Sequence, residues 1–201
     1  MPNVVAHDKR RKLILQRAVG VFMREGYEGT TLQKIADSCD ITRTTLYQYF
    51  RNKREIFIFS IRQLLSDVNG DILTVMNTEG LGAAEQIKNV LNIVLDRLEE
   101  NEALLFVLID YLRFIGRNGV DPAERVRRRT MKMRHYLAGL VIKGMKNGEL
   151  RKGSVKEACA LLYGIIENTV FHLIVLQEKD TEKMRSLIDF TVDHLLVYPK
   201  R

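Results

Sequence analysis

Residues 26–53 read GYEGTTLQKIADSCDITRTTLYQYFRNK, and this segment holds two short helix signals back to back. The first opens at Thr30, with Gln33 at capping-box spacing and Leu32, Ile35, Ala36 and Cys39 recurring at i, i+3, i+4 and i+7. The second opens at Thr42, whose hydroxyl suits a helix N-cap. Only Cys39-Asp40-Ile41 separates them, the turn length of a helix-turn-helix. Asp40 stands where the chain must turn left-handed, a region that aspartate tolerates. Ile41 is a lone apolar residue that plugs the angle between the helices. Leu46 and Phe50, four apart, point the second helix into the same small core. Its opposite side carries Thr44 and Gln48, flanked by Thr45 and Tyr47, with Arg43 at its start. The rod from Thr42 to Tyr49 therefore has a neutral, hydrogen-bonding outer face. Gln pairs bidentately with adenine, Arg pairs with guanine, and Thr touches a thymine methyl or a phosphate, so the face suits the major groove of DNA.

Outward from this segment the punctuation stays helical. Asp8 is placed to cap a first helix, with Ile14, Ala18, Val21 and Phe22 on one face and Gly26 as terminator. Asn52 with Glu55 opens a fourth helix, a fifth runs from about Ala83 to Glu100, and Asn101 caps a sixth ending near Gly116. Asp121-Pro122-Ala123-Glu124 sets a cap, a first-turn proline and a box glutamate in order. Ser154 with Glu157 opens the eighth helix, and Asp180 or Thr181 opens the ninth, to about Val197. No stretch alternates with period two, so no strand is expected. The reading is all-α, about nine helices. Residues 1–55 are expected to form a three-helix helix-turn-helix domain and residues 56–201 a larger helical domain.

Composition sets the outer bounds. The chain has 201 residues, 46% apolar and 28% charged, enough to bury a core. Three prolines, at Pro2, Pro122 and Pro199, leave long helices free to form. Two cysteines exclude a disulfide scaffold and suit a reducing compartment. His7 to Lys12 is charged where a signal peptide needs an apolar stretch, so a cytoplasmic location is expected. Ala158 to Leu176 is the most apolar stretch, but Glu167, Asn168 and His172 interrupt it; it reads as a buried helix, and no membrane partner is expected. The net charge is +7. Residues 1–55 carry eleven Lys/Arg against six Asp/Glu, whereas residues 56–201 carry twenty-one against nineteen. The excess sits around the reading rod, at Lys9 to Lys12, Lys34, Arg51, Lys53 and Arg54, where it suits phosphate neutralisation. A solvated charged face is the alternative reading of the same residues.

Gly26 to Ala36 followed by Ile41 to Lys53 closely resembles the DNA-binding domain of the tetracycline-repressor (TetR) family of bacterial regulators. The likeness covers about residues 8–57 without a gap, and GY-x-x-T-T, the I-A pair and TLY-x-YF-x-x-K occur in register. Asp40 replaces the commoner glycine, and Thr44 stands where a small residue is usual. The resemblance implies a homodimer that places two reading helices in successive major grooves of a near-palindromic, double-stranded operator. It also implies release when a small-molecule effector enters the larger domain. Carried onto this chain, Thr42, Arg43, Thr44, Thr45, Tyr47, Gln48 and Tyr49 fall at DNA-facing positions, and Thr31 and Lys53 at phosphate-contacting ones. Thr44 and Gln48 are the expected base readers, Tyr47 and Lys53 the expected backbone contacts.

The larger domain says less. The eighth helix is apolar nearly all round, so one face needs a cover that its own subunit does not supply. The ninth offers Met184, Leu187, Ile188, Thr191, Leu195 and Tyr198 on one side. A four-helix bundle made by the last two helices of two subunits answers both; a central core helix of a monomer is the alternative. Phe106, Tyr111, Phe114, Met131, Met133, Tyr136 and Phe171 are candidates to line an apolar effector cavity, with Asp110, Asn168 and His172 as its polar groups. Satisfied internal hydrogen bonds are the competing reading of those three. The cluster Arg125, Arg127, Arg128, Arg129, Lys132 and Arg134 suits an anionic effector or simply solvent.

Enzymatic readings find little purchase. His7, His135, His172 and His194 lack metal-ligand spacing, and neither a phosphate loop nor a nucleophile elbow occurs. No cofactor or metal is implied. A helical-bundle enzyme and a nonspecific DNA-binding protein stand as alternatives to a ligand-responsive repressor.

Overall fold

A computed structural model describes the backbone of residues 2–178 and 180–196, and within it all side chains except those of residues 2–5, 122, 125, 128 and 129. Val197 and Tyr198 lie outside the described residues, as do the side chains of Arg125, Arg128 and Arg129. Among the described residues there are nine α-helices and no strand, as expected. They are α1 Pro2–Gly29, α2 Leu32–Ser38, α3 Arg43–Tyr47, α4 Lys53–Met76, α5 Ala83–Glu100, α6 Glu102–Arg117, α7 Pro122–Lys146, α8 Val155–Phe171 and α9 Glu182–Leu195. A single isolated bridge pairs Leu150 with Leu196.

The chain divides into two compact units. The first comprises residues 1–67 and 103–118, so α6 groups with the helix-turn-helix. Its core takes Ile14, Ala18, Phe22, Ile35, Leu46, Phe50, Ile56 and Phe57, all almost fully buried. Tyr27 sits at the centre of a ring cluster. Its centroid lies 4.8 Å from Tyr111, 5.2 Å from Phe57 and 5.3 Å from Phe114. Such edge and tilted contacts add to the area these rings bury. Arg54 Nε donates to the Tyr111 hydroxyl at 3.3 Å, which fastens α6 to the start of α4.

The second unit comprises residues 68–102 and 119–201. Ile87, Val90, Leu91 and Leu95 of α5 bury against Leu137, Leu140 and Val141 of α7, Leu162 and Ile165 of α8, and Ile188 and Val192 of α9. Gln86 is fully buried, yet every polar atom of its side chain is used: Nε2 donates to the Val75 and Met76 carbonyls and Oε1 accepts from Lys143 Nζ at 2.8 Å. Burial of an amide is tolerated on those terms. Arg185 with Asp96, and Lys88 with Asp189 and Asp193, tie α5 to α9 at the rim.

Several helix boundaries differ from expectation. The first helix begins at Pro2, six residues ahead of Asp8, which lies exposed inside it rather than capping it; nothing between them breaks a helix. It breaks at Gly26 as expected, where φ is 69° and ψ 174°. Thr31, not Thr30, caps α2 by accepting from Lys34 N at 3.2 Å. Thr30 is buried, and its hydroxyl is drawn away to the Gly26 carbonyl. Asn101 closes α5 through the Arg97 carbonyl instead of opening α6. The caps at Asn52, Asp121 and Ser154 stand as read.

Residues 155–176 form one helical run, long and apolar enough by composition to cross a membrane, and only a third of it is buried. Ala158, Cys159, Leu162, Ile165, Ile166, Thr169 and Leu173 cover one face. Leu161, Phe171 and Val175 are 61%, 50% and 60% exposed on the other. The expected buried helix is thus buried along one stripe. Its last turn, His172–Leu176, widens to a π-helix and stops at Gln177 with φ 55°. On α9, Leu187 and Phe190 are exposed as well.

Candidate nucleic-acid interface

The turn between α2 and α3 follows the sequence reading closely. Asp40 adopts φ 54°, the left-handed conformation expected of it, and its carboxylate stands 3.7 Å from Arg17, whose guanidinium also donates to the Ser38 carbonyl. Thr42 caps α3 by accepting from Thr45 N at 3.1 Å, and the two hydroxyls bond to each other at 2.9 Å. The helix proper is five residues, shorter than the eight-residue rod expected, because Gln48 and Tyr49 switch to i→i−3 hydrogen bonds. This tightening aims Phe50 into the core beside Leu46, each 1% exposed.

The outer face is laid out residue by residue. Thr42, Arg43, Thr44, Tyr47 and Gln48 are exposed, and Thr45 and Tyr49 half-buried. Among the described residues, the side chains of Thr44 and Gln48 have no internal hydrogen-bond partner, so their polar atoms are free. Arg43 Nη2 donates to the Tyr47 hydroxyl at 2.9 Å, and its guanidinium lies 5.5 Å from that ring's centre. Tyr49 stacks on His7 at 4.6 Å, which brings the start of α1 alongside the end of the reading segment. The extended first turns of α1 create this contact, and the expected helix start at Asp8 had hidden it.

Lys53, expected at a phosphate, also has partners within the protein. Its Nζ donates to the carbonyls of Tyr27, Glu28 and Thr30 at 2.9, 3.0 and 2.9 Å, and stands 4.9 Å from the Tyr27 ring centre. All three N–H groups of the ammonium are thereby spent on the turn that leads from α1 to α2. Desolvation draws its pKa below the ordinary lysine value, opposed by Glu28. Burial, with Tyr111 beside it, pushes the Tyr27 hydroxyl up to about 12. Thr31, the other position expected at a phosphate, is exposed but engaged as the α2 cap. Lys34 pairs with Glu25 and also reaches the Gly29 carbonyl.

A two-helix turn of this geometry, with a polar reading face and basic flanks, meets a direct counterpart among known proteins. The family model described as "Bacterial regulatory proteins, tetR family" matches residues 14–58. The chain belongs to the TetR family. An uncharacterised HTH-type transcriptional regulator, YezE of Bacillus subtilis, is 30% identical over 45% of this chain and 46% of its own length. The fatty acid metabolism regulator protein of the same organism is 25% identical over 83% of this chain and 84% of that one. Two solved structures share the fold. A TetR transcription regulator from Haloarcula marismortui covers 94% of this chain and all of its own, with TM-score 0.80 and 19% identity. The Bacillus subtilis regulator FadR, solved with stearoyl-CoA, covers 92% of this chain and 97% of its own, with TM-score 0.68 and 21% identity. The protein is thus a TetR-family transcriptional regulator, and its relatives are regulators rather than enzymes. Among the described residues no group of His, Cys, Asp and Glu has the arrangement of a metal site.

The candidate effector residues of this TetR-family chain fall in different places. Phe106, Asp110, Tyr111 and Phe114 lie on α6 in the first unit, where Asp110 is exposed and Tyr111 is buried in the ring cluster. Met133, Tyr136, Asn168, Phe171 and His172 lie in the second unit. There Tyr136 donates to Asn69 at 2.7 Å, Asn168 Nδ2 contacts Met184 Sδ at 3.3 Å, and His172 Nδ1 pairs with Glu178 at 2.8 Å. Phe171 faces outward and touches the His172 ring, while Met131 is 55% exposed.

Replacing Lys53 with methionine keeps the length of the stem but removes three charge-assisted hydrogen bonds. Thermal or urea unfolding of Lys53→Met is expected to show a loss of about 2 kcal/mol, in the range for hydrogen bonds to charged groups. An unchanged midpoint would mean the ammonium does not hold the turn.

Proposed function

We propose that this chain is a repressor that binds a near-palindromic operator as a homodimer and is released by a small molecule. Residues 1–55 carry recognition, and residues 56–201 carry effector binding and dimerisation. The carrying observation is the outer face of α3, where Thr44 and Gln48 present unpartnered hydrogen-bonding groups to solvent. Both are assigned to base edges, with Thr42, Arg43, Thr45 and Tyr49 around them, and Thr31 and Tyr47 to phosphates. Lys53 is assigned a holding role on the α1–α2 turn, since its donors are already engaged.

The homodimer is supported by the uncovered apolar surface of α8 and α9. Leu161, Gly164, Asn168, Phe171 and Val175 recur at helical spacing along one edge, and a Cβ on Gly164 would meet nothing within 4 Å. Leu187 and Phe190 stand 37% and 61% exposed on α9, the latter ring against His194 at 4.0 Å. A second copy of the same pair completes a four-helix bundle, and two-fold symmetry suits two half-sites. The effector class we assign is a long-chain acyl-CoA thioester. A relative named for fatty acid metabolism and a fold neighbour solved with stearoyl-CoA support it. So do the exposed cations Arg127, Lys132 and Arg134 of α7, which suit an anionic ligand. Release reaches the reading head through α6, where Tyr111 touches Tyr27 and Phe57. A cytoplasmic location follows from this role.

The deciding experiment measures binding to the promoter region of the chain's own gene against random DNA, across salt and with stearoyl-CoA. Tight, discriminating binding that stearoyl-CoA weakens is expected; equal affinity for both duplexes would overturn the reading in favour of nonspecific binding. Gln48→Ala is expected to narrow the gap between operator and random DNA by about 1–3 kcal/mol. Leu161→Glu and Phe190→Glu are expected to sediment as folded monomers with reduced operator affinity. Dimers of unchanged stability would place the interface elsewhere.

A further inference from the structure

Between α1 and α4, on the first unit, lies an open cleft of about 500 Å³ lined by Arg11, Lys12, Leu15, Phe59, Arg62 and Ser66, with Asp8 and Gln63 at its rim. Its floor is apolar, because Leu15 is buried and Phe59 half-buried. Its walls are cationic. The guanidinium carbons of Arg11 and Arg62 lie 4.1 and 5.3 Å from the centre of the same Phe59 ring. An aromatic face orients a guanidinium while leaving its N–H edge open, unlike a carboxylate, which would consume those donors.

Among the described residues neither arginine, nor Lys12, has an ion-pair partner. Three cations therefore face one carboxylate, Asp8, and two positive charges stay uncompensated. A phosphate monoester carries about −1.5 to −2 at neutral pH and several acceptor oxygens, which matches that deficit. The Ser66 hydroxyl is likewise without an internal partner, whereas the Gln63 amide is engaged by Asp67. We propose that this cleft is a phosphate-binding site, with Arg11 and Arg62 as a preset pair of forks and Lys12 as the third charge.

The site has a mechanical link to the reading head. Arg11 lies over Phe50 as well as Phe59, 5.0 Å from the Phe50 ring centre. Phe50 closes the reading segment, so an anion that repositions Arg11 acts on the corner between α3 and α4. The phosphate has two sources, a free phosphorylated molecule or the backbone of DNA flanking the operator core. Only the second rests on the function proposed above.

The test uses the full-length protein and two probes. Inorganic pyrophosphate is titrated by amide chemical-shift perturbation at constant ionic strength, with sodium chloride as control. In parallel, operator duplexes with and without ten extra flanking base pairs are compared for affinity and salt slope. Arg11→Gln and Arg62→Gln are the variants, with Arg62→Lys as the conservative check and circular dichroism confirming folding. If a free phosphorylated molecule is the ligand, pyrophosphate saturates shifts at Arg62 and Ser66. Each Gln variant then weakens it at least tenfold, and Arg62→Gln leaves both duplexes alike. If flanking DNA is the source, Arg62→Gln weakens only the longer duplex and lowers its salt slope by about one. The proposal is overturned if pyrophosphate acts no differently from chloride and the variant treats both duplexes as wild type does. That result leaves the repressor reading intact, because the operator and Gln48→Ala measurements do not involve the cleft.

Discussion

One ammonium group holds together the turn from which the reading helix hangs. Lys53, at the first residue of α4, reaches back across the unit and collects three carbonyls, those of Tyr27, Glu28 and Thr30. Those carbonyls belong to the segment that follows the Gly26 break, where α1 ends and the chain turns into α2. The same segment carries Tyr27, whose ring joins Phe57 and Tyr111. Position of α2, position of α4 and the docking of α6 are therefore settled at one place. A polar clamp and an aromatic cluster share a residue there, so neither yields without the other.

The two compact units leave different kinds of surface unfinished. On the first, the Thr44 hydroxyl and the Gln48 amide stand ready for hydrogen bonds the protein does not make itself. On the second, the outer edge of α8 and the adjoining edge of α9 leave large apolar side chains in water. On α8 they lie opposite a stripe of residues that is buried along its length. The buried polar groups, by contrast, are complete: no buried side-chain nitrogen or oxygen among the described residues lacks a partner. What is unsatisfied lies outside, where other molecules can reach it.

Legibility in the sequence followed the range of the interaction. Caps that bridge two to four residues were readable, and Asn52, Asp121 and Ser154 each bond where the spacing placed them. The left-handed Asp40 and the inward Leu46 and Phe50 were readable for the same reason. The Thr30–Thr31 choice was not. Either hydroxyl has cap spacing, and the outcome turned on the Gly26 carbonyl, which only the broken end of α1 brings near. Lys53 bonds 23 to 26 residues away, and no local spacing reveals that engagement. His7 against Tyr49 is equally non-local, and Tyr111 joined the ring cluster through a chain path that no periodicity reveals.

The tie between Arg43 and Tyr47 carries a kinetic consequence. An arginine on a helix surface normally samples many rotamers, and fixing it on contact costs conformational entropy. Here the guanidinium is held by a hydroxyl at 2.9 Å and by the ring beneath it before any encounter. A partner that accepts this pose engages without a rotamer search at this residue. One that does not must first break the tie, which slows its engagement.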